Sequence, residues 1–596
     1  MALAMAAGFA AAGVLASAAL AAEAGDPRPN VVVILVDDAA FMDFGIYGGE
    51  ARTPNIDSLA ASGAMFTGHY TSPLCSPSRA MLLTGLDNHL TGVATIPEVL
   101  PEEHVGQPGY SMRLEPGVLT LGDRLRALGY RTLMTGKWHL GDGPGDLPDS
   151  HGFDRSFALD ASGADNWADK SYMPFYAEAP WYEDGAPADR PGGVYSSTFI
   201  IDRMIDYLAT TAASRQARAP FFAYLAFQAI HIPVQAPPNL TASYDGVYDG
   251  GWDAVREARW GRAKELGFVP PGAALADMPA SMRRWEDLSD RDRRAYAARM
   301  QVNAAMLEAM DREIGRFIAR LKAEGEFDDT IFVVTSDNGP EPSRGDDDPR
   351  LAVWMALNGY HTNLEGVGEP GSWGFIGPEW AMAAASPHDM FKFLGSEGGV
   401  RAPLIIAGPG VGGGRTITAR TIVSDIAPTI LDLIGAPAPA DAFTGRSLAP
   451  LLAGAADAVY GPEEALGIEV SGNAAILKGR WKITRNQRPH GDGRWRLYDI
   501  VSDPGETADL SAASPAVFDD MLSEYDQYSR RVGVLEVPAG YDSEAELARN
   551  TFDRMGKTYG PKALLAAAGA IVLLLMLALI RRARRREGRG SHGGGR

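Results

Sequence analysis

Asn30 to Phe41 reads NVVVILVDDAAF: six consecutive apolar residues, most of them β-branched, followed at once by two aspartates. A short and continuous apolar run of this kind is typical of a strand that is buried on both faces, as in a parallel sheet. Ligands bind beyond the carboxyl ends of such strands, so Asp37 and Asp38 are placed for chemistry. An Asp pair after a strand is also common as a turn or a helix cap, and this alternative stays open here.

Three more runs share this form, since each is apolar and then polar. They are YRTLMTGKWHLG (130–141), PFFAYLAFQAIHIP (220–233) and TIFVVTSDNGPE (330–341). Helical patterns with apolar residues three and four apart lie between them, over 120–129, 197–213 and 299–325. Alternating strands and helices predict an α/β fold, in which helices sandwich a large, mainly parallel sheet.

The polar residues after these four runs are expected to converge, because the carboxyl ends of parallel strands meet at one edge of the sheet. The set consists of Asp37, Asp38, Lys137, His139, His231, Asp337 and Asn338. The aspartates and the asparagine supply only oxygen, and no cluster of cysteine or histidine accompanies them. Oxygen ligands suit Ca²⁺ or Mg²⁺, and Ca²⁺ is favoured because its coordination shell is larger and more flexible.

Cys75, the only cysteine in 596 residues, lies in TSPLCSPSRAMLLTG (71–85). Ser76 as a cap, Pro77 in the first turn and Gly85 after the last turn predict a short helix. The free N–H groups and the dipole at its N-terminus would favour a nucleophile or an anion near Cys75. An inert buried thiol is the simpler interpretation of a lone cysteine.

The motif CSPSR (75–79), with LLTG close behind, resembles the signature of type I sulfatases. Further motifs occur in the order of that family. They are TPNIDSLAASG (53–63), GKWHLG (136–141), HGFD (151–154), SDNG (336–339), SEGGVRAPLI (396–405), VSDIAPTILDLIGA (423–436) and DPGETADL (503–510). The stretch Tyr244–Pro271 is similar to bacterial arylsulfatases in particular. The resemblance covers most of the chain from about Asn30 to Leu510, and it implies a fold like those of sulfatases and alkaline phosphatase.

The resemblance also implies a catalytic apparatus. Cys75 would be oxidised to Cα-formylglycine by a formylglycine-generating or sulfatase-maturating enzyme. The implied metal ligands are Asp37, Asp38, Asp337, Asn338 and residue 75, and the implied catalytic residues are Cys75, Arg79, Lys137, His139, His231 and Lys392. Lys392 is placed by SPHDMFKFLGSEGG (386–399), where Ser386-Pro387-His388 stands instead of the usual Asn-Pro-Phe. We therefore expect the substrate end of the pocket to differ from the family pattern.

The implied function is a sulfuric ester hydrolase of the arylsulfatase type, acting on a small-molecule or glycan sulfate ester. It would release inorganic sulfate and an alcohol or phenol. A phosphonate monoester or phosphodiester hydrolase of the same superfamily is the enzymatic alternative. A surface-anchored binding protein in which Cys75 is never oxidised is the non-enzymatic one.

The patterns also suggest how the chain is divided. We expect a catalytic domain over 25–444 and a smaller α+β subdomain over 445–550. GNAAILKGRWKI (472–483) and RWRLYDI (494–500) predict an antiparallel sheet in this subdomain, packed with a helix. Residues 551–562 are interpreted as a linker.

The two ends of the chain predict export. Residues 1–24 resemble a signal peptide, and 563–580 form an uncharged run about long enough to cross a bilayer, followed by a basic tail over 581–596. The tail would remain cytoplasmic, so a periplasmic or cell-surface protein with a C-terminal transmembrane anchor is expected. The net charge of −20 argues against nucleic acid as a partner.

Overall fold

The computed structural model describes residues 28–141, 143–214, 219–345 and 348–558, together with Met576. Its strands are β1 Asn30–Val36, β2 Ala64–Phe66, β3 His69–Tyr70, β4 Arg131–Lys137, β5 Arg155–Leu159, β6 Trp181–Glu183, β7 Ala186–Ala188, β8 Phe221–Ala226, β9 Thr330–Ser336, β10 Leu404–Ala407, β11 Arg415–Ile417, β12 Thr421–Ile422, β13 Leu466–Val470, β14 Asn473–Lys478, β15 Trp481–Arg485 and β16 Trp495–Asp499. Its helices are α1 Pro54–Ser62, α2 Cys75–Thr84, α3 Asn88–Thr91, α4 Leu121–Ala127, α5 Ser196–Ser214, α6 Pro238–Thr241, α7 Gly251–Glu265, α8 Asp290–Glu324, α9 Pro349–Leu357, α10 Gly377–Ala385, α11 Glu397–Val400, α12 Ile426–Leu433, α13 Ala449–Leu452, α14 Pro515–Val532 and α15 (543–558).

A ten-stranded sheet forms the centre of the molecule, in the order β11-β2-β10-β9-β1-β8-β4-β5-β6-β7. The five central strands, β9 to β5 in this order, run parallel. In the middle of the sheet, Val33 of β1 pairs with Tyr224 on one side and with Val333 on the other. Strands β10 and β6 add antiparallel pairs toward the two edges. The predicted α/β fold with a mainly parallel sheet is confirmed.

Strand β1 shows why the sheet needs helices on both faces. Successive side chains of a strand point to opposite faces. Accordingly, Val32, Ile34 and Val36 belong to one hydrophobic core, together with residues of α1, α5, α7 and α8. The alternate residues Val31, Val33 and Leu35 belong to a second core with residues of α2, α4 and α12. Both faces are buried, so the continuous apolar run was the right signal for this strand.

The second sheet lies in the C-terminal part of the chain. Strands β13 to β16 pair antiparallel in chain order, and α14 packs on them through Met521, Tyr525 and Tyr528. This confirms the predicted smaller α+β subdomain. The domain boundaries proposed from sequence stay predictions.

The predicted location needs a correction. Among the described residues there is no helix both long and apolar enough to cross a membrane; the longest, α8, carries charged side chains along its length. An anchored location with a C-terminal transmembrane helix is therefore not supported. The proposed span 563–580 lies outside the described residues apart from Met576, and the proposed signal 1–24 and basic tail 581–596 lie outside them entirely.

Candidate active site

The four strand ends meet where the sequence predicted. Asp37 and Asp38 follow β1, Lys137 is the last residue of β4, and Asp337 follows β9. His231 comes five residues after β8. These strands are neighbours in the order β9-β1-β8-β4, so their carboxyl ends form one edge of the sheet.

Helix α2 brings Cys75 to this edge. The ligand atoms of Asp37, Asp38, Cys75 and Asp337 all lie within 4.8 Å of one another. None of these residues is more than 2% exposed. Two hydrogen bonds tie β1 to β9, because the Asp38 backbone N–H donates to Asp337 Oδ1 (3.2 Å) and Asn338 Nδ2 donates to Asp38 Oδ1 (2.7 Å).

Each of the three carboxylates pairs with a basic side chain. Arg79 donates to Asp337 Oδ2 from Nε (3.0 Å) and Nη2 (2.8 Å). Lys137 Nζ lies 2.7 Å from Asp37 Oδ2. Lys392 Nζ lies 2.7 Å from Asp38 Oδ1. We call these residues, with Asn338, the catalytic cluster: Asp37, Asp38, Arg79, Lys137, Asp337, Asn338 and Lys392.

The start of α2 lies two residues before the predicted one. The helix begins at Cys75 rather than after a Ser76 cap, and Leu74 at the N-cap position makes no side-chain capping bond. Gly85 ends the helix as expected, with a left-handed φ of 72°. Cys75 therefore lies in the first turn, and Arg79 follows one turn later on the same face.

A glycine is required just before Lys137. Gly136 has φ +110°, and a Cβ atom there would lie 1.8 Å from the carbonyl oxygen of Ala226. Any side chain would therefore push β4 away from β8. This close approach fixes the backbone that carries Lys137.

Both histidines lie at the rim of the cluster. His231 Nδ1 donates to the Ile232 carbonyl (2.6 Å), which leaves Nε2 facing Asp38 Oδ2 at 3.8 Å. His139 Nε2 is 3.5 Å from the Tyr176 hydroxyl. Burial, and then the nearby lysines, hold the pKa of both imidazoles well below the ordinary 6.5, so both are neutral in this structure.

Burial acts to raise the pKa of all three aspartates, but their net pKa shifts differ. Burial raises the pKa of Asp37 to about 6 and that of Asp38 to about 8, although the lysines oppose it. For Asp337 burial also acts upward, but Arg79 and the two lysines together bring its pKa below the usual value. Three carboxylates packed this closely repel one another, so the site favours an additional positive charge.

Unpartnered oxygens mark where such a charge fits. Asp37 Oδ1, Asp38 Oδ2 and Asn338 Oδ1 are buried and have no hydrogen-bond partner among the described residues. Buried polar atoms normally have partners. Carboxylate and amide oxygens are hard ligands, so this arrangement fits a divalent cation such as Ca²⁺ or Mg²⁺.

Cys75 is poorly suited to react as a thiol. Burial raises the pKa of its Sγ well above the ordinary value. The thiolate is the nucleophilic form of cysteine, so this side chain is unreactive as it stands.

One acid of the site was missed from sequence. Glu341 Oε2 lies 2.7 Å from Lys392 Nζ, and Glu341 groups with Asp38 and His231. It ends the run TIFVVTSDNGPE, so its position after a strand was the available signal. His388, by contrast, packs on Phe41. Trp380 is fully buried against Trp252.

Comparisons with known proteins show the family to which the chain belongs. A family model described as Sulfatase matches residues 29–436. An uncharacterized sulfatase of Schizosaccharomyces pombe is 34% identical over 544 residues, which cover 88% of this chain and 97% of that protein. An arylsulfatase of Klebsiella aerogenes is 34% identical over 434 residues, covering 71% and 89%.

Solved structures show the same fold. The crystal structure of Ps i-CgsB in complex with k-i-k-neocarrahexaose superposes with a TM-score of 0.60 at 23% identity, covering 88% of this chain and 99% of that one. The order of strands, the cluster at their ends and the family match lead to one conclusion. The chain belongs to the sulfatase family of the alkaline phosphatase-like superfamily and is a hydrolase of the sulfatase type.

Proposed function

We propose that the chain hydrolyses sulfate monoesters through a Cα-formylglycine formed from Cys75, with a divalent cation held beside it. The products would be inorganic sulfate and an alcohol or phenol. The observation that carries the proposal is the position of Cys75, within 4.8 Å of the carboxylates of Asp37, Asp38 and Asp337. Asp37, Asp38 and the neighbouring Asn338 each keep one buried oxygen without a hydrogen-bond partner among the described residues. The identity with the Klebsiella aerogenes arylsulfatase supports an aryl sulfate as a substrate.

The modification accounts for a thiol that cannot react. A hydrated formylglycine carries two hydroxyl groups on one carbon. One oxygen attacks sulfur and the S–O bond to the alcohol breaks, which leaves sulfate on residue 75. Loss of the proton of the second hydroxyl then re-forms the aldehyde, and the C–O bond to sulfate breaks.

Asp37, Asp38, Asp337 and Asn338 would hold the cation, for which we propose Ca²⁺. When bound, the cation makes a hydroxyl of residue 75 more acidic and offsets the charge of sulfate. The fit rests on the oxygen donors and on the mutual repulsion of the carboxylates described above.

The basic residues of the catalytic cluster would bind the sulfate group. Lys137 and Lys392 are buried and reach the same carboxylates that surround residue 75. Fixed positive charge in a site without water stabilises the negative charge that builds up on the sulfate oxygens. Arg79 contacts Asp337 and the Lys137 carbonyl, so it also holds this edge of the site in shape.

Proton transfers are assigned by position. His231 and Lys392 both contact Asp38, through its Oδ2 and Oδ1 respectively, and they would protonate the departing alcohol. His231 would first take up a proton at Nε2, which the negative charge of a bound sulfate ester favours. His139 would take the proton of the second hydroxyl. Tyr176 orients His139 and itself donates to Glu98 Oε1 at 2.7 Å.

The first test is mass spectrometry of the tryptic peptide Thr53–Arg79 from the natural host. We expect a fraction in which the thiol of residue 75 is replaced by an aldehyde. Production together with a formylglycine-generating or sulfatase-maturating enzyme should increase that fraction and the activity in parallel. A peptide that carries only the intact thiol in both samples would contradict the proposed nucleophile.

The second test separates sulfatase from phosphonate hydrolase activity. Matched aryl sulfate and aryl phosphonate esters, with the same phenol as leaving group, are compared by kcat/KM. We expect the sulfate to react faster. Clearly faster cleavage of the phosphonate would replace the proposed reaction with the alternative.

A further inference from the structure

A small cavity adjoins the catalytic cluster beside Asp38 and Glu341. Its volume is about 10 Å³. Most of its wall is apolar, formed by Ile230, Ile232, Val234, Phe375 and Ile376. Ile230 and Ile232 flank His231 in the chain, and Glu341 pairs with Lys392. The cavity therefore lies on the side of the site where the alcohol would depart.

Asn303 is the remaining polar side chain of this wall. It projects from α8, is 2% exposed and lines the cavity. Its side-chain amide makes no hydrogen bond with any residue that the structure describes. The amide opens onto the cavity, and most of its neighbours on this helix are apolar and cannot hydrogen-bond to it. The position therefore calls for a partner from outside the chain.

The two acids of the cavity do not provide that partner. Glu341 accepts from the Ser343 backbone N–H (2.9 Å) and from Lys392 (2.7 Å). Asp38 Oδ1 accepts from Asn338 and pairs with Lys392. Asp38 Oδ2 is the oxygen that faces the cation position. The amide of Asn303 is thus available to a ligand.

The size of the cavity limits what that ligand can place there. A space of about 10 Å³ holds one group of the size of a water molecule. It is too small for a ring but sufficient for a hydroxyl. The apolar wall around it suits the carbon skeleton to which such a hydroxyl is attached.

We propose that Asn303 is a specificity-determining residue that binds a hydroxyl group on the alcohol part of the sulfate ester. The inference rests on the proposed sulfatase function and narrows its substrate class. The preferred ester carries a free hydroxyl on an apolar skeleton. Sites that hydrogen-bond a substrate hydroxyl discriminate against analogues that lack it, because the protein group is then left unpaired.

The test uses pairs of aryl sulfates that differ in one substituent of equal size. Hydroxymethylphenyl sulfate and ethylphenyl sulfate, each as the ortho, meta and para isomer, are compared by kcat/KM. For at least one isomer we expect the unaltered protein to favour the hydroxymethyl ester about 2- to 10-fold, as one neutral hydrogen bond provides. In Asn303→Leu this preference should disappear or reverse, while Asn303→Ser should keep part of it.

Asn358→Leu is the matched control, since Asn358 is exposed at the end of α9 and does not line the cavity. Its preference should equal that of the unaltered protein. If the unaltered protein cleaves both esters at equal rates for all three isomers, the inference is overturned but the sulfatase function is not. This result does not depend on whether the variants fold. An unchanged preference in Asn303→Leu would also overturn it and leave Asn303 with a bound water only. Absence of cleavage of any sulfate ester by the formylglycine-containing protein would overturn both.

Discussion

Two buried clusters of charged side chains can be compared in this molecule, and they differ in how the oxygen atoms of their acidic residues are partnered. The catalytic cluster leaves Asp37 Oδ1, Asp38 Oδ2 and Asn338 Oδ1 without partners among the described residues. The second cluster joins the catalytic body to the small sheet. We call it the interface cluster: Glu397, Arg401, Lys482 and Glu506.

In the interface cluster every carboxylate oxygen lies within 3 Å of a nitrogen atom, although Glu506 Oε1 makes an ion-pair contact there and no hydrogen bond. Lys482 Nζ of β15 lies 2.9 Å from Glu397 Oε1 and 2.8 Å from Glu506 Oε1. The other oxygen of Glu397 lies 2.7 Å from Arg401, and that of Glu506 accepts from the Glu397 N–H at 2.9 Å. Both glutamates and Lys482 are buried. The carboxylates of both clusters are paired with basic side chains, but in the catalytic cluster Asp37 Oδ1 has no contact with any nitrogen that the structure describes, and Asp38 Oδ2 has only His231 Nε2 at 3.8 Å.

This difference suggests that the catalytic cluster is built for chemistry and the interface cluster for cohesion. Buried acids packed this closely repel one another even with basic partners, and they lower stability until a metal cation binds. Where buried charges are fully paired, removal of either partner lowers the free energy of unfolding. Four measurements test this difference between the two clusters.

The substitution Asp38→Asn is expected to have the largest effect, a loss of activity. The change keeps the shape of the side chain but removes a charge from the cation position, so kcat/KM should fall on the order of 10³-fold or more. The melting temperature without added metal should stay equal or rise, because repulsion within the cluster is reduced. A melting temperature that falls sharply would mean that this cluster, too, is primarily structural.

The next effect is on stability, in Lys482→Met. Glu397 and Glu506 would be left buried without their lysine, and breaking such a pair costs about 3–5 kcal/mol of unfolding free energy. Urea denaturation measures it. Lys478→Met on the neighbouring strand is the control, because its ion pairs with Asp520 and Glu524 lie at the surface and are worth about 1 kcal/mol or less. Equal losses in the two variants would contradict the assignment.

A third effect concerns pH and a second contact between the two parts of the molecule. His89 lies between Asp87 Oδ1 (3.0 Å) and Glu469 Oε2 of β13 (2.7 Å). Burial disfavours its charge, but these two bonds outweigh burial and raise the pKa of His89 to about 9. Its stabilisation is fully present below the unfolded value near 6.5 and is lost as the pH rises through 9, a change of about 3 kcal/mol.

The measurement is the free energy of unfolding in urea as a function of pH. The unaltered protein should lose stability across this alkaline range, and His89→Gln should show a smaller loss there. An identical slope in both proteins would remove His89 from the explanation.

The smallest effect is the stabilisation by the cation itself. Ca²⁺ at a hundred times its dissociation constant should add about 2.7 kcal/mol to the unfolding free energy, and a chelator should remove it. Lys482→Met should retain this increment, while Asp38→Asn should lose most of it. Thermal unfolding with and without Ca²⁺ measures it without any substrate. An increment that is unchanged in Asp38→Asn would place the ion elsewhere.

Much of this architecture could be predicted because burial leaves a clear pattern in sequence. The run Val31–Val36 has no polar residue because both its faces are covered. The convergence of the polar side chains that follow it could be predicted from the rule that the carboxyl ends of parallel strands meet at one edge of the sheet. The antiparallel edge strands β6 and β7 were not predicted, since three residues are too few for a pattern.

Residues that depend on tertiary contacts were harder to predict. Glu341 acquires its role through Lys392, and Asn303 through a cavity that no local pattern reveals. The helix start was misplaced because Ser76 has the composition of a cap, while the chain enters the helix through an extended Leu74. Lys392 could be placed only by resemblance, because it lies in a loop between α10 and α11.

The burial of α2 has a consequence for the order of events in the cell. Every residue from Cys75 to Thr84 is enclosed, and Cys75 is 2% exposed. No second protein can reach the thiol once this helix has packed between the sheet and α12. If residue 75 is oxidised as proposed, the oxidation has to happen while the chain is still open. A molecule that folds first would keep its thiol and stay inactive, so the active fraction of a preparation would report the rate of modification relative to the rate of folding.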